Sequence, residues 1–271
     1  MKQIAFIGGG NMARSLVGGL LAKGHARSHI RIAEPMAEAR EALIRDFAVA
    51  VESENLRAAA QADVIVLAVK PQVMADVCRE LATANNPSAL YISIAAGIGL
   101  PHFAGWLGTG AAVVRAMPNT PALIGSGACG LYANPAVSNA QRALAEQIMG
   151  AAGDTAWIDQ ESLMDAVTAV SGSGPAYFFL LMEAMIDAGI AQGLNAETAR
   201  QLVLQTALGA ARMAREGSET PDILRQRVTS PNGTTQAALE VFEQAGMRRI
   251  VGDAIASATE RGRELAAQWG A

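Results

Sequence analysis

The chain has 271 residues, of which 51% are hydrophobic, 17% charged and only 4% aromatic, and its formal net charge is −4. This length allows a sizeable core and indicates two domains. The absence of a basic block or a basic helix face argues against nucleic acid and against an anionic membrane surface as partners.

The two cysteines, Cys78 and Cys129, lie among apolar residues and are expected to be buried thiols of a reducing compartment. No signal peptide is recognisable, and no run of about 20 uninterrupted apolar residues occurs, so a cytoplasmic protein without a membrane span is expected.

The first 160 residues alternate between strand and helix patterns. Helices are predicted over residues 11–23 and 37–47. Strands are predicted at QIAFIG, at 30–34, at ADVIVLAV (62–69) and at LYISIAAG (90–97). A further strand is predicted in AVVRAMPNTP (112–121), where it ends in a polar, proline-flanked loop. Continuous apolar runs without charge are typical of parallel strands that are covered on both faces. Repeated β-α-β alternation therefore predicts an α/β fold with a doubly wound parallel sheet over residues 1–160.

Strand patterns vanish after about residue 160. Helices are predicted over 161–193, 195–216, 235–245 and 247–268, which makes residues 161–271 an all-helical domain. Several of these segments are apolar on more than one face, as in AYFFLLMEAMIDAGIAQGL. A helix that is apolar all round must be buried, either within its own domain or against another subunit. The composition of this domain therefore predicts an obligate oligomer.

Residues Gly8, Gly10 and Ala13 match the pattern G-x-G-x-x-G/A. The first glycine permits a tight turn, the second lets the backbone approach a pyrophosphate, and the small third residue allows close packing of helix and strand. The amides at the start of the following helix attract phosphate. Because the motif follows a predicted strand and opens a predicted helix, it indicates a Rossmann-type dinucleotide-binding domain. A tight turn with no ligand is the alternative.

An acidic residue closes the second predicted strand. Glu34 lies 24 residues after Gly10, near the offset of about 20 at which a carboxylate accepts from the ribose 2′-OH of NAD. The alternative is a solvated glutamate at a helix cap. Arg31 and Arg40 are close enough in sequence to receive a 2′-phosphate, so NADP stays open beside NAD.

Other strand ends are expected at the same crevice, because ligands of such sheets bind at the carboxyl ends of the strands. These ends are AVKPQ (68–72), IAAG (94–97) and MPNTP (117–121). Their small residues allow close backbone approach. Lys70 and Asn119 offer polar contacts, and Asn55 could reach the adenosine side.

Two polar stretches interrupt the helical half. In AVTAVSGSGPAYFF (166–179), residues 171–175 break the helical pattern, with Pro175 suited to a first helical turn and Ser173 to its cap. In VTSPNGTTQAAL (228–239), a turn opens another helix. The amides of Gly233, Thr234 and Thr235, with the hydroxyls of Ser230 and Thr235, would hold a carboxylate. Ordinary helix capping is the alternative in both places.

No metal-binding or hydrolase pattern is recognisable. The histidines, His25, His29 and His102, are scattered, and neither H-E-x-x-H nor C-x-x-C occurs. The G-x-S-x-G elbow of α/β hydrolases is also absent. No metal is therefore expected.

The stretches GGGNMA, AVKPQ, SIAAG, RAMPNTP, AVSGSGPAYFF and TSPNGTT occur in this order and spacing. Together they resemble the pyrroline-5-carboxylate reductase family over essentially the whole chain, and SGSGPAY and SPNGTT are the specific elements. The resemblance implies a Rossmann-type domain followed by an all-helical substrate-binding and dimerisation domain, similar to the C-terminal domain of 6-phosphogluconate dehydrogenase. It implies a homodimer that assembles further, commonly to a decamer. The implied reaction is the reduction of 1-pyrroline-5-carboxylate to L-proline by NADPH or NADH, the last step of proline biosynthesis.

The resemblance also implies roles for individual residues. The pyrophosphate would be held by Gly8, Gly9, Gly10, Asn11 and Met12. The rest of the cofactor would lie along Glu34, Asn55, Ala68, Val69, Lys70, Pro71, Ala95, Ala96, Gly97 and Asn119. The substrate carboxylate would be bound by Ser230, Gly233, Thr234 and Thr235, and the catalytic Thr168 would lie near the ring nitrogen. Many members of the family carry a neutral or hydroxyl residue where Glu34 stands, which leaves the cofactor preference open.

The implied chemistry needs little from the protein beyond alignment. A protonated imine is already electrophilic, so hydride transfer to its C=N carbon requires no strong acid. The hypothesis for Thr168 is that it forms a hydrogen bond with the nitrogen and relays a proton from water. A β-hydroxyacid-type dehydrogenase is the competing enzyme, but it needs a lysine on the first interdomain helix, and the only lysines are Lys2, Lys23 and Lys70. A dinucleotide-sensing regulator is the competing non-enzyme, although a sensor has no need of a carboxylate-binding turn.

Overall fold

Eight strands form a single sheet in the computed structural model, which describes residues 1–84 and 86–268. The strands are β1 (Ile4–Ile7), β2 (Ile30–Ala33), β3 (Ala50–Glu52), β4 (Val64–Leu67), β5 (Leu90–Ser93), β6 (Ala112–Met117), β7 (Gly127–Ala133) and β8 (Gly153–Trp157). They lie in the order β3-β2-β1-β4-β5-β6-β7-β8. Every pairing is parallel except that of β6 with β7. The predicted doubly wound parallel sheet is confirmed, with one antiparallel step added near its far edge.

Helices cover both faces of this sheet. They are α1 (Asn11–Ala22), α2 (Ala37–Phe47), α3 (Asn55–Ala59), α4 (Pro71–Ala82), α5 (Leu100–Leu107), α6 (Asn139–Met149) and α7 (Met164–Val167). On one face Phe6 packs in a cluster with Leu16 of α1, and on the other Ile7 packs in a cluster with Met74 of α4. Burial on both faces explains why β1 and β4 are uniformly apolar, since each side chain gains about 1.5–3 kcal/mol by leaving water.

Both cysteines are free and buried, as predicted. Burial raises the pKa of Cys78 and of Cys129 to about 12. A thiol with such a pKa stays protonated at neutral pH and packs as a small apolar group.

The chain divides into two units. Unit 1 comprises Met1–Ser173 and the C-terminal segment that begins at Ser257, and unit 2 comprises Gly174–Ala256. The segment from Glu161 to Ser173 therefore groups with the sheet, whereas the predicted domain boundary, which stays a prediction, lies after residue 160. The predicted helical domain also includes residues 269–271, which lie outside the described residues.

Unit 2 consists of helices. They are α8 (Gly174–Ala191), α9 (Ala196–Glu216), α10 (Pro221–Arg227), α11 (Thr234–Gln244) and the first part of α12 (Met247–Ala267). The large apolar side chains of α8 are uncovered: Phe178 is 65% exposed and Leu180 66%. The sequence predicts that this helix is buried either within its own domain or against another subunit, and the described part of the single chain does not bury it.

The helical stretch Glu161–Ala191 is long and apolar enough to cross a membrane, judged by length and composition only. A helix that packs against another protein chain meets the same criteria. The sequence favours a buried helix in this place, because Glu183 interrupts the apolar run.

Candidate active site

The direction of winding reverses at the middle of the sheet, where β1 lies between β2 and β4. In open α/β sheets a ligand crevice lies outside the carboxyl ends of the strands at such a point. The two strand ends are joined directly, since the amide of Ala68 donates to the carbonyl oxygen of Ile7 (2.8 Å) and the amide of Gly8 to that of Ala33 (2.9 Å). The glycine loop and the AVKPQ stretch therefore meet at the switch point.

The two key glycines of the loop have different geometries. Gly8 has a φ of +102°, and a Cβ atom there would lie 2.7 Å from the carbonyl oxygen of Ala68. Gly10 has an ordinary φ of −70° and caps α1, and a Cβ atom there would meet nothing within 4 Å. Gly8 is thus needed for the turn itself, whereas Gly10 leaves open space beside the first amides of α1. That space and those amides fit a dinucleotide pyrophosphate.

Glu34 follows β2 and turns its carboxylate toward the glycine loop. Its Oε2 accepts a hydrogen bond from the amide of Gly9 (3.1 Å), and its Oε1 accepts one from the amide of Met36 (3.0 Å). Arg40 donates from Nη1 to the carbonyl oxygens of Glu34 (3.0 Å) and Pro35 (2.7 Å). The carboxylate and a guanidinium therefore share the place where the adenosine ribose of a dinucleotide lies in this fold.

The remaining predicted cofactor contacts lie at the same edge. Lys70 is exposed and caps α4, which begins with Pro71. Beyond β5, the amide of Ala95 donates to the hydroxyl of Ser93 (3.3 Å), and Gly97 has a φ of +78°. Glycine adopts this positive φ without strain, and Ala95, Ala96 and Gly97 are small enough for a ligand to approach the backbone closely.

Two predicted asparagines are engaged within the protein. Asn119 is 9% exposed, accepts from the amide of Ala128 (2.8 Å) and donates to the carbonyl oxygen of Ser171 (3.0 Å). Asn55 donates to the carboxylate of Glu80 (2.7 Å). Asn119 thus joins the end of β6 to the segment that carries Thr168, and direct contact of either asparagine with a cofactor stays a prediction.

Thr168 begins a π-helical turn, Thr168–Gly172. Its hydroxyl donates to the carbonyl oxygen of Met164 (2.9 Å), so the hydroxyl proton is held and the oxygen lone pairs are left to accept. The amide of Ser173 donates to the carbonyl oxygen of Thr168 (2.8 Å), and Ser173 has helical φ and ψ. The prediction that Ser173 caps a new helix is therefore wrong, because the chain passes through this turn without leaving the helical region. Single π turns occur often at functional sites.

The hydroxyl-rich turn lies in unit 2. Gly233 caps α11, and its amide donates to the carbonyl oxygen of Ser230 (3.1 Å). The turn itself therefore uses this donor, and contact of the Gly233 amide with a substrate carboxylate stays a prediction. Thr234 and Thr235 are the first residues of α11, where amides have no intrahelical acceptor. Their two amides and the hydroxyl of Ser230 keep the composition of an anion site.

Sequence reasoning missed three residues at the edge of unit 1. Arg115 of β6 donates from Nη1 to Oε1 of Glu161 (2.7 Å), and the amide of Leu100 donates to the same oxygen (2.7 Å). Ser93 is 1% exposed and lies beside Arg115 in the sheet. The sequence did contain one signal for this pair. An arginine inside the apolar strand AVVRAM is rarely buried without a partner, so Arg115 indicates that an acidic residue lies nearby. Within residues 1–84 and 86–268, the side chains form no cluster suited to a metal ion.

The fold and this edge define a dinucleotide-dependent oxidoreductase with a Rossmann-type domain. A family model described as NADP oxidoreductase, coenzyme F420-dependent, matches residues 3–97, and one described as pyrroline-5-carboxylate reductase dimerisation matches residues 161–265. The pyrroline-5-carboxylate reductase of Pseudomonas aeruginosa is 54% identical over 99% of this chain and 98% of its own.

Solved structures agree with this similarity. A pyrroline-5-carboxylate reductase from Coxiella burnetii superposes with a TM-score of 0.95 at 43% identity, over 97% of this chain and 98% of its own. The Plasmodium falciparum pyrroline carboxylate reductase, crystallised with NADP bound, gives a TM-score of 0.85 at 29% identity over 98% of each chain. The chain belongs to the pyrroline-5-carboxylate reductase family.

Proposed function

We propose that this protein reduces 1-pyrroline-5-carboxylate to L-proline with NADPH or NADH, the last step of proline biosynthesis. The observation that carries the proposal is the 54% identity to the Pseudomonas aeruginosa reductase over 99% of this chain. This chain also contains the two specific stretches SGSGPAY and SPNGTT. The geometry of the sheet edge is compatible with it, because Gly10 leaves room for a dinucleotide beside the start of α1.

The cofactor-binding residues in this proposal are those of the glycine loop, Gly8–Met12, and of the two loops that follow β4 and β5. When bound, the reduced nicotinamide supplies the hydride. The NADP bound to the Plasmodium falciparum relative supports a dinucleotide cofactor for this chain. Glu34 and Arg40 then decide between the two cofactors, because a carboxylate repels a 2′-phosphate and a guanidinium attracts it.

Thr168 binds the ring nitrogen in this proposal. Since its hydroxyl proton is engaged with the carbonyl oxygen of Met164, the oxygen acts as an acceptor. An acceptor matches the N–H of a protonated imine, which is also the more electrophilic form. The protein therefore selects the reactive protonation state by a hydrogen bond and needs no strong acid of its own.

The turn in unit 2 binds the substrate carboxylate. The amides of Thr234 and Thr235 and the hydroxyl of Ser230 are the donors, and the positive end of α11 adds a favourable field. A bound carboxylate restricts the imine to one orientation. Orientation of this kind is the main contribution that the chain makes to the rate.

The chain forms homo-oligomers in this proposal, with the dimer assembling to a decamer. The dimerisation family model covers residues 161–265, the same region in which α8 exposes its apolar side chains. A second copy that covers this face accounts for the apolar helix without a membrane. The cytoplasm is the proposed location, which the two buried free thiols support.

The proposal is tested by measuring imine-dependent oxidation of NADPH and of NADH in parallel on the purified protein, with L-proline quantified as the product. We expect one proline for each dinucleotide oxidised. The matched substrate control is 1-pyrroline, which lacks the carboxylate and should be reduced with a kcat/KM about 100-fold lower, because the turn has nothing to bind. Absence of oxidation with both cofactors would overturn the proposal and favour a dinucleotide-sensing regulator.

A further inference from the structure

One carboxylate oxygen at the edge of the sheet receives two donors from different elements. Glu161 Oε1 accepts from the amide of Leu100 and from Nη1 of Arg115, both at 2.7 Å. The pair is shielded, since the Arg115 side chain is 11% exposed and that of Glu161 27%. The Nε of Arg115 is buried and has no hydrogen-bond partner among the described residues. Glu161 is therefore the group on which this guanidinium depends.

The first contact of Glu161 lies at the end of the loop that follows β5. This loop begins where the hydroxyl of Ser93 accepts from the amide of Ala95 (3.3 Å), and it ends at Leu100, the first residue of α5, whose amide is held by Glu161. Arg115 lies directly beside Ser93 in the sheet. Residues 95–97, which are predicted to lie along the cofactor, are thus flanked by two hydrogen bonds, one to Ser93 and one to Glu161.

The chain that follows Glu161 leads to Thr168. Glu161 begins a short 3₁₀ turn that leads directly into α7 and then into the π turn of Thr168. Both structures lie within unit 1. The same carboxylate therefore connects the loop of residues 95–97, which is predicted to lie along the cofactor, with the segment that carries Thr168, the residue proposed to bind the imine nitrogen.

We propose that Glu161, together with Arg115, is a positioning residue for hydride transfer. It sets the separation between the loop of residues 95–97 and Thr168, and thereby the distance over which the hydride moves. This role rests on the proposed function, because it presumes that a reduced nicotinamide and an imine are the reactants. Hydride transfer is sensitive to small changes in this distance. Loss of the Glu161 contacts with Leu100 and Arg115 therefore reduces the rate more than it reduces substrate binding.

The test compares Glu161→Ala with Asp63→Ala, which removes the ion pair between Lys2 and Asp63 (2.7 Å) at the opposite, amino-terminal edge of the same sheet. For Glu161→Ala we expect kcat to fall about 20-fold with the KM for the imine within about threefold, and the kinetic isotope effect with 4-deuterated cofactor to rise. Glu161→Gln, which keeps an acceptor oxygen, should recover most of the lost kcat. For Asp63→Ala we expect neither kcat nor the isotope effect to change.

The hydrogen bond between the Leu100 amide and Glu161 can also be measured directly, without cofactor or substrate. In the free protein, hydrogen exchange of the Leu100 amide should become at least about tenfold faster in Glu161→Ala and stay unchanged in Asp63→Ala. Arg115→Met, which keeps the bulk of the side chain and removes its charge, serves if Glu161→Ala does not fold, and the same rise in the isotope effect is expected.

The outcomes separate the two proposals. If the wild-type protein reduces the imine but the Glu161 and Arg115 variants keep its isotope effect and its ratio of kcat to KM, the positioning role is overturned. If the wild-type protein has no reductase activity, the proposed function fails and the positioning role fails with it, whatever the exchange of Leu100 shows about its hydrogen bond to Glu161.

Discussion

The carboxylate of Glu34 accepts a hydrogen bond from the amide of Gly9, with 3.1 Å between Oε2 and the nitrogen. This bond joins the end of β2 to the glycine loop. It places a negative charge beside the loop at the end of the crevice where a Rossmann fold holds the adenosine ribose. The side chain therefore has two effects, one on the shape of the loop and one on the charge that a cofactor meets.

Replacement of this carboxylate should change the choice of cofactor. In Glu34→Ser, the ratio of kcat/KM for NADPH to that for NADH should rise about tenfold or more, because repulsion of the 2′-phosphate is removed; a tenfold change corresponds to about 1.4 kcal/mol. Steady-state kinetics with both cofactors measure the ratio. Glu38→Ser is the matched control, since it removes the same charge from an exposed position in the first turn of α2. An unchanged ratio in Glu34→Ser would show that the Glu34 carboxylate does not affect the choice of cofactor and only forms its hydrogen bonds to Gly9 and Met36.

The two glycines of the loop should respond differently to alanine. Gly8→Ala should lower the free energy of unfolding by about 1–3 kcal/mol, because Gly8 has a φ of +102° and a Cβ atom would press on the carbonyl oxygen of Ala68. Gly10→Ala should fold with a loss below about 1 kcal/mol but bind NADH about tenfold more weakly, since its Cβ atom enters the open space at the start of α1. Chemical denaturation and fluorescence titration measure the two effects. Equal dinucleotide affinity of Gly10→Ala and the wild type would place the pyrophosphate elsewhere.

The hydroxyl oxygen of Thr168 should matter for turnover. Thr168→Val should lower kcat about 10- to 100-fold, because a hydrogen bond to a charged group contributes about 1.5–3 kcal/mol, whereas Thr168→Ser should stay close to the wild type. Ser171→Ala is the matched control, since the Ser171 hydroxyl makes the same kind of bond, to the carbonyl oxygen of Val167 (2.9 Å). Rates at saturating cofactor and imine decide the matter. Full turnover by Thr168→Val with an unchanged KM would exclude Thr168 from the reaction.

The two thiols should be protected in the folded protein. Burial raises the pKa of Cys78 and Cys129 to about 12, so at pH 8 only about one thiol in 10⁴ is ionised, whereas an unfolded cysteine with a pKa of about 8.5 is partly ionised. Iodoacetamide should therefore label both residues in denaturant and neither in buffer, as mass spectrometry of the labelled protein would show. As the pH rises above about 8.5, the thiols of the unfolded state lose their protons before those of the folded state. The free energy of unfolding therefore decreases toward high pH. Rapid labelling of the folded protein at pH 8 would contradict the burial.

Much of the sheet could be predicted from the sequence, and the reason is local. β1 and β4 are wholly apolar and β2, β5 and β6 have one polar residue each, and burial on both faces requires such a pattern. β3 and β8 were not predicted, because both lie at edges of the sheet and are partly exposed, so no continuous apolar run identifies them. β7 has the sequence GACGLYA, whose glycines and alanines disfavour a strand in isolation.

The sequence by itself determined the class of fold, the glycine loop and the family, because these depend on residue order and on spacing along the chain. Only the tertiary structure decided which donors are free. It engaged the amide of Gly233 within its own turn and directed the Thr168 hydroxyl to Met164. It also joined Arg115 to Glu161, 46 residues apart, through a single oxygen. Such pairings depend on the positions of strand ends and helix starts in space, and the pattern along one segment contains no information about a partner on another.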